Sequence, residues 1–476
     1  MNSLNLKNIN FNYENKTILN NINIDFKENS LNIIMGKSGS GKSTLLKYLF
    51  KANFANQKKA FIYQENFLIN NKSVLKNTLD GLLNDKRDKK SKLIKAFNIL
   101  KELNIDHLLD VKVSKLSGGE KQRVQIARAL IQDVSIIFAD EPTSSLDAHT
   151  ANELLKTIKK ISLSKNITFI VSLHDLKLAK KYSDNSFYLN NQKIFIGIPD
   201  LEIFNKKDPN QVTDSDTKVK SKNMFSFCLF GLVTVLSFSY LFNKIEIPKE
   251  NIFYNLFNFL SLLVPKSFEE LLNLPFKTLF ISLLETISIG IISSIFAFII
   301  SIPISLLAIS NISASFISKT VRNCLNLIRT IPSIIWALLF VSAFGLGIFS
   351  GILALTVYST GYLAKFFYES FENVNPNVID CFKDLKATKL QIFKEAILPL
   401  SLPAIAGHFI FILEYNIRSA SILGLVGAGG IGFYIKQYLD FRYFPAVSLA
   451  LLMIFCVVYI LDKFSQSLRK SILKDL

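Results

Sequence analysis

The chain changes character near residue 222 of its 476 residues. Behind that point lie six apolar segments, at 225–242, 276–309, 331–344, 347–367, 405–426 and 446–461. Several approach the roughly 20 residues that a helix needs to cross a bilayer. A water-soluble core has no use for so many long apolar runs, so this part reads as an all-α polytopic membrane domain of about six transmembrane helices. Pro332, Gly345 and Gly347 interrupt the third and fourth segments. The third reads as starting earlier, near Val321, which obliges Arg322 and Arg329 to sit at the boundary or face protein.

Ahead of the divide, short apolar runs alternate with charged, helix-like stretches, for example 31–35 before 43–50 and 135–139 before 150–161. That alternation is the pattern of an α/β domain. The boundaries read as an α/β domain over 1–205, a polar linker over 206–222 (KKDPNQVTDSDTKVKSK), an extra helix with an outside segment over 223–270, and the main membrane domain over 271–476.

Charge supports one topology. Lys and Arg number 55 against 37 Asp and Glu, a net charge of +18. The start of the chain has no charged stretch followed by an apolar one, so no cleavable signal is expected and the first domain is expected in the cytosol. Six crossings then place the loop over 371–399 on the same side. That loop carries Lys383, Lys386, Lys389 and Lys394, and the linker and the tail are basic too, as the positive-inside rule requires. Nucleic acid is not expected as a partner, because six spans and the lack of any aromatic-and-basic recognition module speak against it. Cys228, Cys324, Cys381 and Cys456 are widely spaced and form no C-x-x-C, which excludes a disulfide framework and a zinc ribbon.

Gly36-Lys37-Ser38-Gly39-Ser40-Gly41-Lys42-Ser43 fits G-x-x-x-x-G-K-[ST] between an apolar strand and a helix opening at Thr44. Glycines let backbone N–H groups curl around phosphate oxygens, Lys42 bridges the β- and γ-phosphates, and Ser43 can ligate Mg²⁺. ATP and Mg²⁺ are the expected cofactors. The run 135–139 ends in Asp140 and Glu141, which places Asp140 toward the metal shell and Glu141 near the attacking water.

Between these motifs stands Leu116-Ser117-Gly118-Gly119-Glu120, and here the chain resembles the ABC-transporter ATPases, whose signature is LSGGQ. The resemblance implies that Tyr13 stacks on adenine and that Gln64 is the glutamine reaching the metal and the attacked phosphate. It further implies that Asp147 belongs to the loop Ser145-Leu146-Asp147 and that His174 is the switch histidine. It also implies a homodimer, in which Ser117, Gly118, Gly119 and Glu120 of one copy close over the nucleotide held by the other. Lys42 and Gln64 are only 22 residues apart, about half the family's usual spacing, so the small antiparallel subdomain is expected to be truncated. His107 and His149 match no motif and are expected at the surface.

The loop Asp380-Cys381-Phe382-Lys383-Asp384-Leu385-Lys386-Ala387 resembles, in degenerate form, the EAA loop of type I ABC importer permeases, whose short helix docks on the ATPase. Asp380 and Ala387 are the expected coupling positions. The segments 331–340 and 414–432, with Glu414, Asn416 and Arg418, resemble the permeases of phosphonate-type importers. Glu414 and Arg418 lie four apart on one helical face, so they either bridge each other or let Arg418 meet an anion. Gly427, Gly429 and Gly432 spell G-x-G-x-x-G but follow a membrane helix, which argues against dinucleotide binding.

The expected function is ATP-driven import of a small phosphorus-containing anion across the plasma membrane, with the ATPase domain cytoplasmic. A separate extracytoplasmic binding protein is implied. Import of thiamine phosphates or methionine is the alternative, and an exporter of lipid or peptide is disfavoured by the EAA-like loop.

Overall fold

The computed structural model describes residues 4–199 and 224–474, apart from 14–15, 38, 53, 55–56, 191, 243–250 and 311–312. The expected linker, and part of the expected outside segment, lie outside the described residues.

The first domain is α/β. Strands β1 (Leu4–Tyr13) and β2 (Lys16–Phe26) form an antiparallel pair. Then come β3 (Leu31–Met35), helix α1 (Lys42–Lys51), β4 (Lys59–Ile62), α2 (Val74–Leu79), α3 (Lys89–Glu102), α4 (Gly118–Leu130) and β5 (Ile136–Ala139). Helix α5 (Ala148–Lys165), β6 (Thr168–Leu173), α6 (Leu176–Tyr182), β7 (Asn185–Asn190) and β8 (Lys193–Ile196) complete it. The main sheet has the order β4-β5-β6-β3-β7-β8, parallel except for β8. Every residue of β3, β5 and β6 is buried, as expected of parallel strands covered on both faces. Only residues 52–58 connect α1 to β4, which accounts for the short spacing seen in the sequence.

The second half is helical: α7 (Met224–Phe242), α8 (Ile252–Leu262), α9 (Phe268–Leu272), α10 (Phe276–Ala308), α11 (Ser315–Thr330), α12 (Ser333–Phe344) and α13 (Ile348–Glu372). After α14 (Pro376–Asp384) and α15 (Lys389–Ile392), a π turn at Phe393–Ile397 leads into α16 (Leu398–Leu423), followed by α17 (Ile431–Asp440) and α18 (Phe444–Lys474). Among the described residues, three helical stretches are long and apolar enough to span a membrane: Phe276–Ala308, one within Lys389–Asp440, and Phe444–Lys470. The third apolar segment is not one straight span. Its helices α11 and α12 meet at 85° across Ile331–Pro332, and counted together they raise the spans to four. Six spans therefore need α13, which is less apolar than those three, and α7, whose described apolar stretch is Phe230–Leu241.

Helix α10 is built inside-out. Ser282, Thr286, Gly290, Ser293, Ser294 and Ser301 are buried, while Phe280, Leu284, Ile291, Ile295 and Ile299 are exposed. Small residues let helices approach closely in lipid, where apolar burial gives no advantage. Gly290 shows how close: a Cβ there would lie 2.5 to 2.8 Å from Ile417 of α16.

Candidate nucleotide site and its link to the membrane half

Because β3, β4, β5 and β6 run parallel, their carboxyl ends reach one edge of the sheet, where ligands bind in open α/β folds. Met35 is level with Leu173, so Gly36 and His174 leave the sheet side by side. Ile62 is level with Ala139, and Ala139 with Val171, which gathers Gln64, Asp140, Glu141 and Ser172. Four motifs spread over more than a hundred residues thus meet.

Their contacts are close. Glu141 contacts His174 Nε2, accepts from Gln64 Nε2 at 3.0 Å, and lies 3.6 Å from Lys42 Nζ. Its own N–H donates to Ser172 Oγ at 2.8 Å, and that hydroxyl donates to buried Asp140 at 2.8 Å. The Glu141 backbone is left-handed, with φ 45°, a strained conformation for a residue with a side chain and one that clusters at functional sites. Lys42 Nζ donates to the carbonyls of Gly36 and Lys37 at 2.8 and 2.9 Å. Burial pushes its ammonium below the usual lysine range, against the pull of Glu141 and Asp140.

The loop ahead of α1 fits a phosphate chain. Ser40 Oγ is buried with no hydrogen-bond partner among the described residues, an orphaned donor inside the loop. Gly39 and Gly41 have φ of 77° and 101°, and a Cβ on Gly36 would meet Ser40 Oγ at 2.6 Å and Leu189 O at 2.7 Å. Ser43 and Thr44 occupy the first turn of α1, half-buried beside the loop. A cleft of about 550 Å³ flanks it, lined by Phe11, Ile18, Thr44, Lys47, Tyr48, Lys51 and Ala52. Ser38 and the side chain of Tyr13 lie outside the described residues, and Phe11, edge-on to Tyr48, is an aromatic that the sequence reading missed.

The signature is set apart as a helix start. Ser117 caps α4 in a reciprocal box with Glu120, whose carboxylate accepts from Ser117 N at 2.8 Å. Gly118 and Gly119 lie against the Ser145–Thr150 turn, where a Cβ on Gly119 would come 2.6 Å from Thr150. Asp147 caps α5 through His149 N and Thr150 N, and these bonds with the Thr150 hydroxyl hold its carboxyl below the usual range. His107 and His149 are exposed.

The loop over 371–399 docks on the first domain of its own chain, with Ala387 of the two expected positions at the contact and Asp380 away from it. Asp380 is exposed and, among the described residues, pairs only with Lys383, one turn away on the same helix. Asp384 accepts from Tyr63 Oη instead, and burial raises the pKa of both groups. Lys72 binds Asp80 of the first domain at 2.9 Å and Glu395 of the second at 2.7 Å. Burial lifts the Asp80 carboxyl to about 6, despite Lys72 and Arg128. Phe382 is fully buried in a cluster with Phe67 and Ile69, and Ala387 packs at its edge. Cys381 is buried against Arg128 Nη2 at 3.3 Å, whereas Cys324 and Cys456 are exposed; all three are free.

In the membrane half, Asn416 does not face an open path. It is fully buried, accepting from Ser359 Oγ at 2.7 Å and donating to Ser294 Oγ at 2.9 Å, which ties α10, α13 and α16 together. Glu414 binds Arg418 at 2.8 Å and also Arg469 of α18 at 3.5 Å, a second partner the four-residue spacing could not reveal. The glycines at 427, 429 and 430 are left-handed and turn the chain back into α17, where Ile431 N donates to Thr286 Oγ1 at 2.8 Å.

A parallel sheet carrying a phosphate loop, two strand-end acids and an exposed helix-start signature, docked on a helical membrane unit, defines an ATP-driven transporter. The chain belongs to the ABC transporters: residues 19–144 match the ABC transporter family, and residues 301–473 match the binding-protein-dependent transport system inner membrane components. It thus joins an ATP-hydrolysing cassette and an importer-type membrane component in one polypeptide. Cassettes of this family act as dimers, and such importers work with a substrate-binding protein.

The first part is 34% identical over 238 residues to the phosphonates import ATP-binding protein PhnC of Fusobacterium nucleatum, covering 44% of this chain and 96% of that one. It is also 36% identical over 203 residues to the lipoprotein-releasing system ATP-binding protein LolD of Wigglesworthia glossinidia brevipalpis, covering 37% and 88%. The second part is 34% identical over 189 residues to the phosphite transport system permease protein PtxC of Stutzerimonas stutzeri, covering 40% and 69%.

Proposed function

We propose that the chain imports a small phosphorus oxyanion, a phosphonate, phosphite or phosphate ester, across the plasma membrane with its ATPase domain in the cytoplasm. The likeness of the membrane half to a phosphite permease carries this reading. The cassette cannot choose the cargo, since it is about as similar to an import ATPase as to a lipoprotein-releasing one.

Two copies of the chain supply two cassettes, and an extracytoplasmic binding protein delivers the anion. Adenine lies in the cleft beside Phe11 and Tyr48, with Tyr13 on the same strand. The phosphates lie on Gly36–Thr44, with Lys42 bridging the β- and γ-phosphates. Ser43, Gln64 and Asp140 hold Mg²⁺, which when bound offsets the charge of the phosphate chain. Glu141 orients the attacking water, and His174 holds Glu141 on one side and reaches the γ-phosphate on the other. Ser117–Glu120 of the second copy closes the site.

Uptake assays on cells making the full chain with its binding protein, across labelled methylphosphonate, phosphite, phosphate, thiamine phosphate and methionine, test the reading. A phosphorus oxyanion should be taken up and methionine ignored; preference for methionine refutes the reading, and preference for thiamine phosphate, itself a phosphate ester, selects the alternative cargo.

The charged triad gives a second test. Arg418→Ala alone leaves Glu414 with the more distant Arg469 and is expected to lower stability, because half of a charge pair costs more to lose than the whole. The triple change Glu414→Gln with Arg418→Met and Arg469→Met removes all three charges and is expected to assemble and transport within about threefold of the parent, as a structural bridge would. Lost uptake with intact basal ATPase would assign the arginines of the triad to the anion.

A further inference from the structure

The membrane half carries an arginine that no acid balances. Arg322, Lys365 and Arg418 each pair with a carboxylate, namely Glu372, Glu369 and Glu414. Arg329 pairs with none among the described residues: its one hydrogen bond is a long one, from Nη1 to Asn326 Oδ1 at 3.3 Å, and its Nε is buried without a partner. A guanidinium in a membrane domain is expensive to keep unless it meets something, which makes it a functional candidate.

Its position adds a second, independent observation. Arg329 lies in the last turn of α11, two residues before the 85° break at Ile331–Pro332, and broken helices are where membrane transporters place ligands. The guanidinium lies over the Tyr362 ring of α13, 4.9 Å from its centre. From Tyr362 a ladder of aromatic rings follows the same face: Tyr358 at 5.0 Å, then Tyr415 of α16 stacked on Tyr358 at 5.8 Å with the two hydroxyls 3.1 Å apart. These tyrosines are half-exposed, unlike their neighbours Ser359 and Leu363, so they line a surface rather than a seam. Tyr362 lies ten residues, ~15 Å, before the end of α13 where the chain enters the docking loop.

We propose that Arg329, with the hydroxyls of Tyr358, Tyr362 and Tyr415, forms the contact site for the transported oxyanion within the membrane half. This inference rests on the phosphorus-oxyanion reading above. A planar guanidinium offers paired donors that match a tetrahedral oxyanion, whereas a lysine offers only a point charge. Phenol hydroxyls add neutral donors that bind without trapping, which a path requires because an ion must also leave.

The test uses the full chain in proteoliposomes with its binding protein, following labelled phosphite, methylphosphonate and phosphate. Arg329→Gln should lower uptake about 30-fold or more while basal ATPase and dimer assembly persist, the loss expected for a contact to a charged group. Arg329→Lys should restore part of it with a raised KM, and Tyr358→Phe with Tyr415→Phe should raise KM about tenfold at unchanged basal ATPase. Uptake by Arg329→Gln within threefold of the parent overturns the inference and leaves the import reading standing. If Arg329→Gln does not assemble, the tyrosine double variant decides, and an unchanged KM there overturns it equally. A parent chain that takes up none of the three probes brings down the import reading, and this site with it.

Discussion

Glu141→Gln will leave ATP bound and cut steady-state hydrolysis by about 10²- to 10⁴-fold, the range for removing a positioned proton acceptor. The substitution is nearly isosteric, so the left-handed backbone at 141 and the bond from its N–H to Ser172 survive, and Gln64 and His174 keep their places. Lys42→Ala should behave differently. It removes the cation that already fills the loop through Gly36 and Lys37, so nucleotide affinity itself should fall. Nucleotide binding by filter assay beside phosphate release separates the two, and hydrolysis by Glu141→Gln at the parent rate would remove Glu141 from its proposed role.

Phe382→Ala will disconnect hydrolysis from transport. The ring is wholly buried between the halves, and truncating such a phenylalanine typically costs about 3–5 kcal/mol, roughly two to four decades in a docking equilibrium. The cassette core is separate from that cluster, so ATPase activity should persist while anion uptake per ATP falls at least tenfold. Phe382→Leu, which keeps an apolar side chain in place, should lose far less. Uptake per ATP within twofold of the parent in Phe382→Ala would show that the contact transmits nothing.

The nucleotide cluster was legible in the sequence because each of its pieces is a local motif on a strand end or helix start. Parallel strands then bring the pieces together without any further information. Even Gln64, whose spacing from Lys42 looked anomalous, arrives beside Glu141, because β4 pairs directly with β5 whatever the length of the chain before it. The docking contacts were legible only as a region. Tyr63 and Asp384 are 321 positions apart, and nothing in either segment marks the other as its partner. Asp380 and Asp384 stand one turn apart on the same helix, and the local sequence does not mark which of them meets Tyr63 and which faces solvent. Arg469 escaped for the same reason, and the 85° break was visible only as Pro332, which can kink a helix or end it.

The docking loop touches the cassette of its own polypeptide, which changes what evolution must maintain there. Separate subunits have to find each other at cellular dilution, so their joint must be strong enough to hold unaided. A tether replaces that search with an effective concentration that is about millimolar for a short flexible connection. A tethered joint need not reproduce the family's usual residues one for one, and here Cys381, Phe382 and Lys386 make it by seating on Arg128, Phe67 and Asn84. One translated chain also delivers one cassette with each membrane unit, so neither part is ever made in excess of the other.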